Sequence, residues 1–188
     1  RASQTDDRKL KSWVTGSVGA TTSALDDIAK NYNVNVIRTA VGEINVVNEM
    51  KKQQSMIGGE GNGGVILPES HYGRDAFVAS IIILNHLATN NLTMYQANKN
   101  IPKYYMLKEK ITLNNQIEPS QINEIIKTQY KNCTYDLNDG IKVISNDFWI
   151  HIRQSNTEPI IRVYIESKKQ ELLASLFSNI KSILQKKK

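Results

Sequence analysis

The sequence predicts a mixed α/β domain followed by a smaller α+β domain of two layers, an antiparallel sheet and two helices. Three observations support this fold class. Strand-like and helical patterns alternate up to about residue 88, strand-like runs then follow one another between residues 140 and 166, and a long amphipathic pattern closes the chain. Alternation is typical of α/β folds, whereas grouped strands with separate helices are typical of α+β folds.

The first half opens with a strand-like run at 12–18 and a helix at 23–31, for which Thr21 to Ser23 offer caps. The patterns then predict a strand at 34–38, a helix near 44–53, strands at 55–57 and 65–67, and a helix at 76–88. Asp75 can cap this last helix. Because its sequence, AFVASIIILNHLA, is apolar on all sides, we expect the helix to be buried between other layers.

Residues 89–102 differ in character from the segments before them. They contain four Asn between positions 90 and 100 and a proline at 102, so we place the domain linker there. The predicted domains are residues 1–98 and residues 99–188. In the second domain the patterns predict a strand at 103–113, a helix at 119–131, strands near 140–145, 147–153 and 159–166, and a helix at 168–186.

Length and cysteine content limit the class of protein. The 188 residues, 40% of them hydrophobic, can form one good core or two small ones. The single cysteine, Cys133, cannot form an internal disulfide and favours a cytoplasmic location. No apolar run reaches the length of a membrane span and no secretion signal is present, so we expect a soluble protein. The polar start at Arg1 suggests a fragment or a trimmed chain.

The net charge of +6 suits an anionic ligand. A solvated basic C-terminus explains part of this excess equally well. Of the eight Lys and Arg residues beyond position 150, four, at Lys181 and Lys186 to Lys188, lie in the second half of the predicted last helix and in the tail. Charge alone therefore leaves both explanations open.

A turn rich in hydrogen-bond donors is predicted at 153–159, with the sequence RQSNTEP, between two strand-like runs. Arg153 offers a planar fork of N–H donors, and Ser155 and Thr157 offer hydroxyls. Asn156 adds an amide, and Pro159 stiffens the exit from the turn. Donors of these kinds bind phosphate, so we predict a phosphate site here.

A glycine cluster, GGEGNGG, occupies residues 58–64 and holds five of the ten glycines. Its G-x-G-x-x-G spacing allows a dinucleotide cradle, but that motif requires a helix to follow, and residues 65–67 are strand-like. A second interpretation is a hairpin turn that needs positive φ. The third is sugar recognition, in which Glu60 accepts hydrogen bonds from two adjacent hydroxyls and Asn62 supplies an amide.

The glycine cluster, the sequence GRD at 73–75, the sequence ALDDIA at 24–29 and the segment RQSNTEPIIRV that starts at Arg153 together resemble the α-D-phosphohexomutase family. This family includes phosphoglucomutases, phosphomannomutases and phosphoglucosamine mutases. Its members have four domains, and the resemblance covers nearly the whole chain as the third and fourth of them. The order and spacing of the motifs make the resemblance specific.

The resemblance implies a role for each motif. Glu60 and Asn62 lie at positions that contact ring hydroxyls, while Arg153, Ser155, Asn156 and Thr157 form the phosphate-binding loop, with Arg162 close behind. Many members have Ser in place of Asn62, and some have His in place of Gly64. These differences mean that the sugar preference cannot be transferred from the family to this sequence.

The implied activity is that of an isomerase, an intramolecular phosphotransferase of carbohydrate metabolism. It interconverts hexose 1-phosphate and hexose 6-phosphate through a phosphoserine and a bisphosphorylated sugar. The serine and the D-x-D-x-D magnesium loop belong to domains that this sequence lacks. We therefore expect no catalytic residue and no metal in this chain, and no turnover by the chain alone. The expected partners are hexose phosphates, hexose bisphosphates and the N-terminal domains of the same enzyme, with no membrane partner.

Several other polar residues permit more than one interpretation. His71 either lines the sugar site or lies in a loop without a role, and His86 and His151 are expected in packing or surface positions. Arg74 either adds positive charge to the site or pairs with an acid, and Glu43 either faces the site or supports a helix N-terminus.

The competing class is a non-catalytic module that binds phosphate or nucleic acid. Nucleic-acid binding usually interleaves aromatic and basic residues on one surface. Tyr104, Tyr105, Trp149 and Tyr164 occur instead in strand-like runs, so we expect no nucleic-acid partner. Within the resembled family, a phosphoglucosamine mutase is the alternative substrate class.

Overall fold

The computed structural model describes residues 12–16, 21–112, 117–155 and 158–185. These residues form two compact units. Of the described residues, the first unit contains 12–16 and 24–102, and the second contains 21–23 and 103–185. The predicted fold class is confirmed, because the first unit mixes helices with a mixed sheet and the second combines an antiparallel sheet with two helices.

The first unit is built on a five-stranded sheet with the order β2-β1-β3-β4-β5. Strand β1 is parallel to β2 and β3, and the β3-β4 and β4-β5 pairs are antiparallel. Its elements are β1 (Ser12–Gly16), α1 (Ala24–Asn31), β2 (Asn35–Thr39), α2 (Glu43–Gln53), β3 (Ile57–Glu60), β4 (Val65–Leu67), β5 (His71–Arg74), α3 (Ala76–Thr89) and α4 (Met94–Lys99).

Helix α2 supplies most of the core of the first unit. Val46, Val47 and Met50 recur at helical spacing and pack with Val14 of β1 and Ile66 of β4. Gly58 of β3 lies directly beneath Met50, because a Cβ at position 58 would collide with the Met50 sulfur. The close contact explains why position 58 is a glycine, and pairing with β1 and β4 makes the start of the glycine cluster a strand.

The second unit has a five-stranded sheet with the order β6-β10-β9-β8-β7, in which every pair is antiparallel. Its elements are β6 (Tyr105–Thr112), α5 (Pro119–Gln129), β7 (Thr134–Asp136), β8 (Ile141–Ile144), β9 (Phe148–Gln154), β10 (Ile160–Ser167) and α6 (Glu171–Gln185). One sheet face packs against both helices and contains most of the buried aliphatic residues. The opposite face carries the polar residues described below.

Two segments of the first unit differ from the predictions. Helix α3 is not buried between layers, since none of its residues is buried and Phe77 is 83% exposed. The predicted linker at 89–102 contains helix α4, which begins after Thr93 with a complete capping box to Gln96. The box lets a segment of six residues form a helix despite its Asn content.

Three short elements were not predicted from the sequence: β5, α4 and β7. Strands β5 and β7 have four and three residues, and both are edge strands held by a single neighbour. Such strands depend on pairing rather than on their own apolar alternation. Within the described residues, no helix combines the length and the apolar character needed to cross a membrane.

Candidate functional site

Glu60 is the last residue of β3, where the strand leaves the sheet. Parallel pairing with β1 places Glu60 opposite Gly16. A Cβ at Gly16 would lie 3.0 Å from Cγ of Glu60 and 2.6 Å from Cγ2 of Val46, so only glycine leaves room for the carboxylate. The Glu60 side chain is 10% exposed, and it is held by the fold rather than free in solvent.

Both oxygens of Glu60 accept hydrogen bonds. Oε1 accepts from the backbone N–H of Gly42 at 3.3 Å, and Oε2 accepts from Nη1 of Arg74 at 3.1 Å and from Nδ2 of Asn62 at 3.5 Å. Arg74 also donates through Nε to Oε2 of Glu43 at 2.7 Å. Three side chains, Glu43, Glu60 and Arg74, thus form a charged cluster with two carboxylates and one guanidinium, which we call the Glu60 cluster.

The rest of the glycine cluster forms the turn of the β3-β4 hairpin. Glu60 donates its backbone N–H to the carbonyl of Gly64 at 2.9 Å, and Gly63 adopts φ of 95°, which favours glycine. Oδ1 of Asn62 accepts from the backbone N–H of Gly64 at 3.1 Å. The hairpin interpretation is therefore confirmed, and the dinucleotide cradle is excluded because a strand, β4, follows the cluster. A hairpin turn remains compatible with sugar recognition.

An open pocket of about 590 Å³ lies beside this turn. Its lining includes Glu43, Asn62 and Arg74, together with glycines of the turn and of β5. Arg74 therefore both lines the pocket and pairs with acids, and Glu43 faces the pocket from the first turn of α2.

His71 does not line this pocket. Its Nε2 lies 3.0 Å from Oδ2 of Asp75, and Oδ1 of Asp75 accepts the backbone N–H groups of Phe77 and Val78 at the start of α3. These helix-capping hydrogen bonds, chiefly that from Val78, lower the pKa of Asp75. His71 thus supports a helix cap.

In the second unit, three cations lie side by side on the sheet. Arg153 of β9 is directly opposite Arg162 of β10, and Arg162 is directly opposite Lys110 of β6. Residues paired in this way project from the same face of an antiparallel sheet. Like charges in direct opposition destabilise a sheet. The cation row, as we call these three residues, is a surface that an anion can stabilise.

Two carboxylates partly offset the cation row. Oδ2 of Asp139 lies 3.9 Å from Nη1 of Arg153, and Oε2 of Glu158 lies 3.6 Å from Nη2 of Arg162. Both distances are long for a charge-assisted hydrogen bond. Nε of Arg153 is buried and has no hydrogen-bond partner in the described part of the chain. The two arginines therefore retain donor capacity toward an anion.

The predicted phosphate loop continues directly from Arg153. The backbone N–H of Ser155 donates to the carbonyl of Ile160 at 2.9 Å, which closes the base of the loop between β9 and β10. Asn156 and Thr157 lie outside the described residues. Arg153, Ser155 and Arg162 are thus brought together at one end of the β9-β10 pair, as the hairpin connection requires.

The turn between β7 and β8 packs closely against the backbone of β9 at Arg153. Gly140 adopts φ of 72°, and a Cβ there would collide with the carbonyl of Ile152 and approach Cβ of Arg153 at 2.9 Å. His151 is buried, and its Nε2 donates to the carbonyl of Asp139. Burial, with help from the cations Lys142 and Arg153, lowers the pKa of His151, so its imidazole is neutral near pH 7.

Four residues of these two clusters were left open or missed at the sequence level. The sequence leaves the roles of Arg74 and Glu43 open, although Arg74 belongs to the GRD sequence that contributes to the family resemblance. Lys110 and Asp139 were missed because the register of β6 on β10 brings Lys110 beside Arg162, and the β7-β8 turn brings Asp139 beside Arg153. No local pattern reports either placement. Among the described residues, no group of three or more His, Cys, Asp and Glu is arranged to hold a metal ion.

Comparison with protein families defines the class to which these features belong. A model described as phosphoglucomutase/phosphomannomutase, alpha/beta/alpha domain III, matches residues 3–105. The model for the C-terminal domain of the same family matches residues 109–182. The chain therefore belongs to the α-D-phosphohexomutase family and represents its C-terminal portion, the third and fourth domains. The resemblance inferred from the motifs is confirmed.

Individual relatives extend this result. A phosphoglucosamine/phosphogalactosamine mutase of Sulfurisphaera tokodaii is 30% identical over 99% of this chain, which covers 41% of that protein. A phosphoglucomutase/phosphomannomutase of Thermococcus kodakarensis is 36% identical over 81% of this chain, which covers 33% of that protein. The chain thus spans less than half the length of these relatives.

Solved structures agree on the fold. A phosphoglucomutase/phosphomannomutase family protein from Burkholderia thailandensis aligns with 93% of this chain at a TM-score of 0.73 and 17% identity, and 37% of that protein is covered. An Aspergillus fumigatus N-acetylphosphoglucosamine mutase variant in complex with glucose 1,6-bisphosphate aligns with 95% at a TM-score of 0.70 and 14% identity, with 39% of that protein covered.

Proposed function

We propose that the chain is the substrate-binding C-terminal portion of a phosphohexomutase that interconverts hexose 1-phosphate and hexose 6-phosphate. It supplies the sugar-binding and phosphate-binding residues but neither the catalytic serine nor the metal. We propose residues 1–98 and 99–188 as the two domains, a division supported by the two compact units and the two separate family matches. The use of a single cysteine supports a cytoplasmic enzyme.

The cation row is the observation that carries the proposal. A hexose phosphate presents a dianion, and Arg153 and Arg162 offer forked N–H donors on one face of the sheet. Ser155, Asn156 and Thr157 follow Arg153 in the chain and would add hydroxyl and amide donors. A phosphate bound here would relieve the repulsion between the paired cations, so binding and folding of the β9-β10 end support each other.

The Glu60 cluster supports the second part of the proposal, which is sugar recognition. A hydroxyl of a sugar ring can replace Asn62 as a donor to Oε2 of Glu60, because the Asn62 contact is long, at 3.5 Å. The hydroxyl would then share Oε2 with Arg74. Asn62 then becomes free to hydrogen-bond the ring itself. Because Glu60 is anchored by the N–H of Gly42, it is pre-oriented and loses little entropy on binding.

The proposed reaction gives the residues of this chain a different task from the serine and the metal. In the proposed reaction a phosphoryl group passes from a serine oxygen to one oxygen of the sugar, and the phosphate at the other end of the bisphosphate later returns to the serine. Magnesium would neutralise charge at the reacting phosphate, but the described residues do not present ligands for it. The residues of this chain would hold the phosphate that is not reacting and orient the ring, which aligns the reacting oxygen.

The test is a turnover assay on the full-length protein that contains this sequence. Hexose 1-phosphate is added, and formation of the 6-phosphate is followed by ³¹P NMR. We expect interconversion by the full-length protein, and binding without interconversion by the 188-residue chain. Turnover by the chain alone, or none by the full-length protein with any hexose phosphate, would contradict the proposal.

A second candidate is an amino-sugar phosphate as substrate. The Glu60 cluster contains two carboxylates, Glu43 and Glu60, and only one cation, Arg74. Its excess negative charge suits the ammonium group of an amino sugar. The Sulfurisphaera tokodaii relative that aligns along nearly the whole chain is named for such sugars. A higher kcat/KM for glucosamine 6-phosphate than for glucose 6-phosphate would support this candidate, and the reverse order would exclude it.

The arrangement of aromatic residues supports an enzyme over a nucleic-acid-binding module. Trp149 is buried and donates to Oε2 of Glu166, and the ring of Tyr164 lies beneath the ammonium of Lys108. Neither ring is free to stack on a base. We therefore propose hexose phosphates and hexose bisphosphates, rather than nucleic acid, as ligands.

A further inference from the structure

Gly64 and the side chain of Arg74 share one confined space at the β3-β4 turn. A Cβ at Gly64 would collide with Cδ of Arg74 and lie 2.9 Å from its Cγ. The preceding residue, Gly63, suits glycine because its φ is 95°, whereas Gly64 does not adopt a positive φ. The contact with the Arg74 side chain, rather than the backbone conformation, therefore requires a glycine at position 64.

Arg74 is the charged group of the Glu60 cluster that is most open to a ligand. Its side chain is 43% exposed, against 36% for Glu43 and 10% for Glu60. Arg74 also lines the pocket of about 590 Å³, whereas Glu60 is not one of the lining residues. A sugar that enters this pocket therefore contacts the guanidinium before it reaches the carboxylate of Glu60.

Two hydrogen bonds hold Arg74 in this position. Nε donates to Oε2 of Glu43 at 2.7 Å, and Nη1 donates to Oε2 of Glu60 at 3.1 Å. They use only part of the donor set of a guanidinium, so donors remain for a ring hydroxyl. The same two contacts place one positive charge between two negative charges at the edge of the pocket.

We propose that Arg74 is a specificity-determining residue for the sugar, and this inference rests on the proposed function. The two carboxylates attract an ammonium group, and the cation between them opposes that attraction. Without Arg74, the ammonium of an amino sugar could bind between Glu43 and Glu60 in place of the guanidinium. A neutral hydroxyl gains much less from the same change. Arg74 thus shifts the preference toward neutral sugars, and the glycine at position 64 leaves room for it.

A purely structural role for Arg74 makes a different prediction. If Arg74 only ties β5 to α2 through Glu43, its loss would loosen the turn and weaken the binding of all sugar phosphates alike. Two hexose 6-phosphates that differ only in an ammonium or a hydroxyl group separate these roles. Both carry the same phosphate, so any effect on the cation row cancels in the ratio between them.

The experiment compares glucosamine 6-phosphate with glucose 6-phosphate. Values of kcat/KM are measured for the full-length protein, and Kd values are measured for the 188-residue chain by calorimetry. Arg74→Gln removes the charge, Arg74→Lys keeps it, and Gly64→Ala displaces the guanidinium by the added Cβ. The matched control is Lys52→Gln on α2, which removes an equal charge from a residue that pairs with Glu49 instead.

We expect Arg74→Gln to raise the preference for the amino sugar over the neutral sugar about 10-fold, the size of one hydrogen bond to a charged group. Gly64→Ala should raise the ratio in the same direction. It should add nothing in the Arg74→Gln background, because its effect acts through the guanidinium. Arg74→Lys and Lys52→Gln should leave the ratio close to that of the wild type, because both keep a cation at position 74.

An unchanged ratio in Arg74→Gln, with both esters weakened equally, would overturn the proposal and leave Arg74 a structural tie. A shift of the same size in Lys52→Gln would also overturn it, because the effect would then come from overall charge. If the wild-type full-length protein converts neither ester, the proposed function fails, and the Kd ratio in the 188-residue chain still decides the role of Arg74. Absence of binding of either ester would overturn both proposals.

Discussion

The two candidate binding clusters use opposite charge. In the first unit, one arginine, Arg74, links two carboxylates, and the pocket beside them has an excess of negative charge. In the second unit, three cations cross the sheet and two carboxylates offset them only at long distance. A phosphorylated sugar has neutral hydroxyls at one part and a dianion at another. The two clusters thus suit different chemical groups: the Glu60 cluster suits hydrogen-bond donors such as hydroxyls, and the cation row suits a dianion.

The clusters also differ in how the fold builds them. The Glu60 cluster is assembled from α2, the β3-β4 turn and β5, so several backbone segments must meet. The cation row is set by the register of three paired strands, β6, β10 and β9. Sites on paired strands are held more rigidly than sites on loops. We expect substitutions in the β3-β4 turn to weaken sugar recognition. Substitutions in the turns beside the cation row should weaken phosphate binding less.

Removal of Arg153 should have the largest effect. Arg153→Ala in the full-length enzyme should lower kcat/KM for hexose phosphate about 100-fold or more, because a charge-assisted, forked contact is lost. The fold should persist, since the side chain is partly exposed. Circular dichroism checks the fold, and Lys181→Ala on α6 removes an equal charge away from the cation row. Unchanged kinetics in Arg153→Ala would count against the phosphate site.

Glu60→Gln should have the next largest effect on kcat/KM. It keeps the size of the side chain and removes the charge that Arg74 and a sugar diol would share. We expect about a 10-fold loss in kcat/KM for hexose phosphate, typical of one hydrogen bond to a charged group. The matched control is Glu49→Gln. Glu49 lies on α2, and its carboxylate accepts hydrogen bonds from Lys52 and Gln53 rather than from the Glu60 cluster. If Glu49→Gln lowers kcat/KM equally, the effect does not arise from the Glu60 cluster.

Lys110→Ala should have a smaller effect that sharpens the definition of the cation row. Lys110 is exposed and lies at the outer end of the row, so its contribution to phosphate binding should be screened by salt. We expect about a 3-fold rise in Kd for hexose phosphate at low ionic strength and little change in about 0.5 M salt. An effect that does not vary with salt would show that Lys110 acts through packing instead.

The smallest effect concerns His151 and pH. The pKa of folded His151 lies below its ordinary value, so the unfolded chain binds more protons once the pH falls below about 6.5. This contribution to stability is therefore complete above that pH and is lost as the pH falls toward the folded pKa. In His151→Gln, the Tm difference between pH 7.5 and pH 5.5 should shrink by about 2–4 °C relative to wild type. An unchanged difference would exclude His151 as the cause.

Local sequence patterns predicted the elements that carry the core. The helical spacing of Ile44, Val47 and Met50 predicted α2, although Ile44 is exposed and Val46 joins the core in its place. The alternation around Ile150 and Ile152 predicted β9. These elements are predictable because the apolar residues on a buried face recur with the period of the helix or strand. The motifs likewise identified the glycine turn and the segment that begins at Arg153.

What the sequence did not predict depends on distant partners. The cation row requires the register of β6 against β10, which no stretch of β6 encodes alone. The exposure of α3 was missed because apolar content reports that a helix needs covering but not which part of the protein covers it. The pairing of Arg74 with Glu43 and Glu60 spans 31 and 14 residues. It arises because β5 lies near both α2 and the end of β3.

The central claim is that the sugar binds at the Glu60 cluster and the phosphate at the cation row. Its most direct test is a calorimetric titration of the 188-residue chain with inorganic phosphate and with a hexose 6-phosphate. Three proteins are compared: wild type, Arg153→Ala and Glu60→Gln. We predict that Arg153→Ala weakens the binding of both ligands, whereas Glu60→Gln weakens only that of the hexose phosphate. Equal loss of both ligands in Glu60→Gln, or retention of phosphate binding in Arg153→Ala, would contradict the assignment of sugar and phosphate to separate clusters.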